Sequence, residues 1–156
     1  MKKILILSMM AIASLSSCKK DKKNTPAPAI ITDPITSILW HTTAKEVKYY
    51  DENNTLLYKE KDTSEINYAF SNNIATVTDK QNNVTTGSYI ITESEGKKSM
   101  SITINGVTET YVLTSVTDKL MTWTQEKTNT TYIKNGVSYA AAKQVTTIKF
   151  SCPCQE

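Results

Sequence analysis

Three cysteines and one histidine are the residues of this 156-residue chain whose types could do covalent or metal chemistry. Cys152 and Cys154 flank Pro153 near the C-terminus. Two thiols one residue apart can close a small, strained ring, exchange disulfides or hold a metal. An oxidising compartment favours the bridge, so a Cys152–Cys154 disulfide capping the chain is the leading expectation. Redox exchange comes second and metal binding third. His41 stands beside Trp40. A serine nucleophile needs a base and a group that orients it, and no Gly-x-Ser-x-Gly elbow accompanies this histidine. His41 therefore reads as a surface or barrel-end residue. No HExxH, paired CxxC or acidic calcium loop is present. The expectation is a protein that is not an enzyme, with no catalytic residue, no metal and no cofactor.

A finer inference concerns Glu109. If Asn105-Gly106 is a two-residue turn, Ile104 pairs with Val107, Ile102 with Glu109 and Met100 with Tyr111. Met100, Ile102 and Ile104 form an apolar face that must point inward, so Glu109 points inward with Tyr111 and Leu113. A buried carboxylate is costly unless paired or wet. Glu109 then lies near an open end, or a bulge shifts its strand, or it is a polar anchor in an otherwise apolar pocket. Tyr89, Tyr111 and Trp123 could line that pocket with it, although aromatic residues more often simply fill a core.

The elements that must position these residues repeat every second residue. "INYAF" aligns Ile66, Tyr68 and Phe70; "SMSITI" sets Met100, Ile102 and Ile104 against Ser99, Ser101 and Thr103; "LMTWTQ" aligns Met121 and Trp123. Turn signals separate such runs: Asp51 to Asn54, Ser71-Asn72-Asn73, Lys80 to Asn83, Glu95-Gly96-Lys97, Asn105-Gly106 and Asn135-Gly136. Helical spacing is confined to two short places. Asp33-Pro34-Ile35 resembles an N-cap with proline at the first helical position and predicts a turn or two to Leu39. Ala140 to Lys143 predicts another turn. The fold class is all-β: about 8–10 strands with short antiparallel connections. An up-and-down β-barrel removes the two edges of such a meander; a β-sandwich is the alternative.

Residues 1–17 read as a signal peptide. Lys2 and Lys3 precede an apolar stretch, Ile4 to Leu15, broken only by Ser8 and Ser14. Leu15-Ser16-Ser17-Cys18 resembles the bacterial lipobox of the lipoprotein family. That resemblance implies cleavage before Cys18, diacylglycerol on its thiol and a further acyl chain on the new amine. Two or more chains anchor stably where one does not. Residues 18–34 are the lipidated cysteine and a polar, lysine-rich tether with little to bury. Lys19, where an aspartate is absent, points to an outer-membrane address. Residues 35–156 form the domain.

Composition narrows the partners. All 18 basic residues are lysine. Six of them lie at or before Lys23, and the other twelve face thirteen carboxylates after Asp33, so the folded part carries about one net negative charge. A near-neutral domain without arginine is a poor binder of nucleic acid. The expected partners are the membrane, through the lipid, and a small hydrophobic ligand; the expected state is a monomer.

The order of Trp40, Tyr68-x-Phe70, an Asn-rich turn, "ATVTD", "GSYII", "SITING" and "ETYVLTSVTDKLMTW" resembles the lipocalin-like domains of Bacteroidetes lipoproteins over residues 35–128. The chain departs from that pattern before Trp40, where Ile38 and Leu39 replace the usual glycine, and from Asn129 onward. The resemblance implies a small β-barrel and no enzyme activity. Its functional expectation is a membrane-anchored barrel that binds a small, partly apolar molecule, or else a cell-surface module for protein or glycan.

Overall fold

The alternation of apolar and polar residues builds nine strands among the residues that the computed structural model describes, 35–36 and 38–153. They are β1 (Leu39–Tyr50), β2 (Leu56–Asp62), β3 (Asn67–Ser71), β4 (Ile74–Thr78), β5 (Val84–Ser94), β6 (Lys97–Ile104), β7 (Val107–Val116), β8 (Leu120–Lys134) and β9 (Val137–Ser151). Every pairing is antiparallel, and the order runs β2-β1-β3-β4-β5-β6-β7-β8-β9. β9 also pairs with β1, from His41↔Ser151 to Tyr50↔Lys143. Eight strands thus close into an up-and-down barrel, and β2 is an extra strand beside β1. The expected signal peptide, Cys18, the expected tether and Asp33-Pro34 lie outside the described residues.

The turns follow from residue type. Asn72-Asn73, Glu95-Gly96, Asn105-Gly106 and Asn135-Gly136 all hold positive φ at both central positions, the backbone that a tight hairpin needs to match strand twist. Two longer loops share one design. In Asp51 to Thr55 the Asp51 carboxylate accepts the amides of Asn53 and Thr55, and in Asp79 to Asn83 the Asp79 carboxylate accepts those of Gln81 and Asn83. Asn54 and Asn82 supply the left-handed residue in each.

The interior is filled. Trp40, Phe70, Met100, Met121, Trp123 and Phe150 are almost fully buried. Trp123 is the hub, with ring centroids of Phe150 at 4.4 Å, Tyr111 at 5.2 Å, Tyr68 at 5.4 Å and Phe70 at 5.9 Å. The outer face is wet and hydroxyl-rich, with Ser101 and Thr110 paired at 2.8 Å and Thr103 and Thr108 at 2.8 Å.

Both expected helical turns are corrected. Ile35 and Thr36 form a turn, Ile38 a bend, and Leu39 already belongs to β1. The reason is burial: Ile35 is fully buried in the core, and its carbonyl accepts the Trp40 indole N–H at 3.1 Å. Ala140 to Lys143 lie within β9 because β8 presents a matching ladder, Thr128↔Lys143, Thr130↔Ala141 and Thr131↔Ala140. Alanine is a weak strand former by itself, and these residues extend because the equally long β8 pairs with them.

β8 and β9 outrun the barrel as a long hairpin arm. Asn129 sits at φ 50° in the middle of β8, and the Asn129–Ala142 pair is missing from an otherwise constant register. Before it, Met121 and Trp123 face the core; after it, Thr130 and Tyr132 are the half-buried residues. The inward face changes parity at this one residue. Tyr132 thereby meets Tyr49 at 5.1 Å, Tyr58 at 5.0 Å and Tyr139 at 5.4 Å. This tyrosine stack is a second, smaller packed unit beyond the barrel.

Candidate functional site

Glu109 owes its place to the Asn105-Gly106 turn. With both residues at positive φ, the hairpin has no slack, and the observed pairs are Ile104↔Val107, Ile102↔Glu109 and Met100↔Tyr111. Glu109 therefore shares the inner face with Ile102 and Ile104. Its side chain is still 37% exposed, so the carboxylate lies at the barrel's open end and reaches water.

The backbone ladder between β7 and β8 runs from Val116↔Met121 to Val112↔Thr124. Beyond it, side chains take over. Gln125 Nε2 donates to Glu109 Oε2 at 2.5 Å and to the Thr110 carbonyl at 3.1 Å. Lys127 Nζ donates to Glu109 Oε1 at 2.9 Å. Hydrogen bonds from Lys127 first and Gln125 second hold the Glu109 carboxyl below the usual carboxylate range. Across the mouth, β9 turns from apolar to polar: Phe150 and Ile148 give way to Thr146 and Gln144, joined by a 3.1 Å bond from Gln144 Nε2 to Thr146 Oγ1.

At this mouth lies a cavity of about 160 Å³ lined by Tyr68, Ile102, Ile104, Val107, Glu109, Tyr111 and Trp123. Three of the four residues expected to share a pocket, Glu109, Tyr111 and Trp123, are brought together here. Tyr89 is not. It packs on Phe70 at 5.0 Å and borders a separate depression with Thr36, Asn73, Ser88, Ile90 and Ile91. Although Tyr89 pairs with Ile102 across the sheet, its ring is taken up by Phe70 of β3.

Burial is the main reason the Tyr68 hydroxyl and the Tyr111 hydroxyl titrate high, the latter pushed up to about 12. Both are neutral donors at ordinary pH. The Trp123 indole nitrogen is buried and has no hydrogen-bond acceptor among the described residues. The pocket thus combines an apolar lining, the rings of Tyr68, Tyr111 and Trp123, and a carboxylate whose charge is already matched by Lys127.

Tyr68, Gln125 and Lys127 are the site residues that sequence reasoning missed. Gln125 and Lys127 continue the Met121, Trp123 alternation, so their face was available to be read. Their role as a substitute ladder was not, because it depends on β7 and β8 parting. His41 is half-buried at a second, polar cleft of about 740 Å³ that includes Thr43, Glu65, Asn67 and Asp79. Asp79 is engaged by its own loop, as described above. Cys152 is disulfide-bonded and packs against the core, its amide donating to the Lys119 carbonyl at 2.9 Å; Cys154 lies outside the described residues. No known family model, curated protein or solved structure matches this chain.

Proposed function

We propose that the chain is a lipid-anchored outer-membrane lipoprotein of the lipocalin-like kind, whose barrel binds one small, partly apolar molecule at its mouth. The observation that carries the binding half is the pocket in which Glu109, Tyr111 and Trp123 converge with Ile102, Ile104 and Val107. Apolar walls with a few placed polar groups are the usual form of a ligand site. The packed interior narrows the reading: with Trp123, Phe70 and Phe150 filling the centre, the ligand is held at the rim and is not enclosed in the barrel. The anchoring half rests on Leu15-Ser16-Ser17-Cys18 and the lysine-rich tether. The role is binding, not catalysis.

Two measurements test it. Cells fed a labelled fatty acid should incorporate label into the wild-type chain and not into Cys18→Ala; equal labelling of both removes the anchor. Native mass spectrometry of the full chain released from membranes should show a bound small molecule that Tyr111→Ala loses. An identical ligand-free mass for both removes the carrier role.

A second reading, a surface module for protein or glycan, is favoured by one observation. Leu56, Leu57, Ile133, Val137 and Tyr139 are 40–65% exposed and all sit on β2 or on the β8–β9 arm. A ligand-free chain that binds whole cells through this arm, and loses binding with Ile133→Ser and Val137→Ser, supports that module instead.

A further inference from the structure

The antiparallel register sorts β2, β1, β9 and β8 into two faces. Lys45 pairs with Ile148 and Ile148 with Trp123, so that row faces the core side. Side chains alternate along a strand, so the rows on either side point outward. They set Lys61 beside Glu46, Lys59 beside Lys48, Lys143 beside Tyr50 and Lys149 beside Ala44. β8 continues this face with threonines and Glu126. The outer face thus holds five lysines against two carboxylates, a net charge of +3. The described residues as a whole hold twelve lysines and twelve carboxylates, so the rest of the domain carries the matching −3. Lysine on an edge strand deters pairing with another chain, which accounts for Lys59 and Lys61 on β2. Lys48, Lys143 and Lys149 lie on β1 and β9, at positions paired on both sides, where no such protection is needed. Lys48 stands directly opposite Lys59, a like-charge pair that costs stability. The fold itself does not call for these lysines.

We propose that this face docks the domain on a membrane surface rich in anionic phosphate headgroups, with Lys61 and Lys149 as the principal contacts. The two carboxylates nearest them are already matched. Glu46 takes Lys48 at 2.7 Å and Lys59 at 2.5 Å, and Asp62 takes Lys45 at 3.4 Å. Lys61 and Lys149 are exposed and have no carboxylate partner among the described residues. They stand on opposite sides of β1 and border a hollow of about 370 Å³ that Ala44, Thr43 and Thr147 also line. A phosphate there meets two uncompensated ammonium groups. Leu56, half exposed beside Tyr50 at one end of the face, adds an apolar contact of the kind that enters a headgroup layer. Four strands side by side make a broad surface about 14 Å across, which suits a plane of headgroups better than a single enclosed anion. The docking goes beyond the anchoring reading: the face makes its own contact, with or without lipid on Cys18.

The test is lysine footprinting of the full chain by acetylation and peptide mass spectrometry. It compares phosphatidylcholine vesicles with and without phosphatidylglycerol. At low salt the anionic vesicles should slow acetylation of Lys61 and Lys149 about fivefold, the worth of one lysine near such a surface. Lys97 and Lys98, on β6 across the closed barrel, should label alike on both vesicles. Half-molar salt, which shortens the screening length to about 4 Å, should abolish the protection. Lys61→Gln with Lys149→Gln should restore the labelling of Lys143, and Lys97→Gln with Lys98→Gln should leave the pattern intact. Cys18→Ala should keep the pattern too, so loss of the anchor and loss of docking are read separately. Equal labelling of Lys61 and Lys149 on the two vesicles overturns the proposal. Protection that inorganic phosphate gives as fully without vesicles assigns the hollow to a free anion and overturns the membrane as its occupant. Protection of Lys97 and Lys98 instead shows that the opposite side meets the surface, and overturns it as well.

Discussion

Gly87 shows how one atom can decide the path of a strand. It lies in β5 where pairing passes from β4 to β6: Ala75↔Gly87 is the partner on one side, and Ser88↔Thr103 begins the ladder on the other. A Cβ there would stand 2.1 Å from the Thr103 carbonyl oxygen and 2.7 Å from Ile104 Cγ1. The first contact is with backbone and cannot swing away. Gly87→Ala should destabilise the fold by about 1–3 kcal/mol, the usual range for overpacking, seen as a lower urea midpoint at constant slope. An unchanged midpoint would mean that the sheet can shift there at little cost. Glu109 teaches the complementary lesson. An inward carboxylate is tolerated because the barrel end lets water reach it and because Lys127 and Gln125 occupy its oxygens. Ion pairs this exposed contribute roughly 0–1 kcal/mol, so its arrangement matters more to the pocket than to stability.

At the scale of the element, Asn129 is the informative position. A strand that keeps its register normally keeps its faces. A single left-handed residue turns the next peptide plane and exchanges them, which is how Tyr132 comes to stack on Tyr49 and Tyr58. Asparagine and glycine tolerate that conformation, whereas β-branched residues do not. Asn129→Gly should therefore leave stability nearly unchanged. Asn129→Val should cost about 1–2 kcal/mol and weaken the near-ultraviolet circular dichroism of the stacked tyrosines. Equal behaviour of the two variants would show that the arm bends for another reason. The same view explains the failed helical turn at Ala140 to Lys143. Four residues of favourable propensity cannot outweigh the ladder that Ala140, Ala141 and Lys143 make with β8 and that Lys143 also makes with Tyr50 of β1.

Whole-molecule stability should be bounded at both ends of the pH scale. Glu46 is held at about 2 by hydrogen bonds from Lys48 and then Lys59, and Asp62, Asp79 and Glu109 are also lowered from their ordinary values. A carboxylate lowered in the folded state stabilises it above the unfolded value of about 4 and loses that contribution as pH falls toward 2. Because these groups are exposed, the acid loss should be gradual and sensitive to salt. The tyrosines act in the opposite direction. Tyr111 titrates at about 12, and Tyr68 and Tyr49 are also raised, in each case chiefly by burial. Unfolded tyrosines ionise near 10, so the unfolded chain releases its protons first. Stability should fall between pH 10 and pH 12. Denaturant melts across both ranges check this; a flat alkaline limb would show that Tyr111 is not buried as described.

The sequence alone determined what depends on neighbours in the chain. Alternation gave strands, paired Asn and Gly residues gave tight turns, and the Asn105-Gly106 turn set the register that turned Glu109 inward with Ile102 and Tyr111. A barrel followed as the way to remove two edges. Tertiary structure decided whatever needs a partner distant in sequence. It drew Ile35 into the core where local signals favoured a helix, and it parted β7 from β8 so that Gln125 and Lys127 came to hold Glu109. It also sent Tyr89 to Phe70 and left Trp123 Nε1 without, among the described residues, the acceptor that Trp40 found. Local preference is a matter of a few tenths of a kcal/mol per residue, and burial and closure outweigh it wherever the two compete.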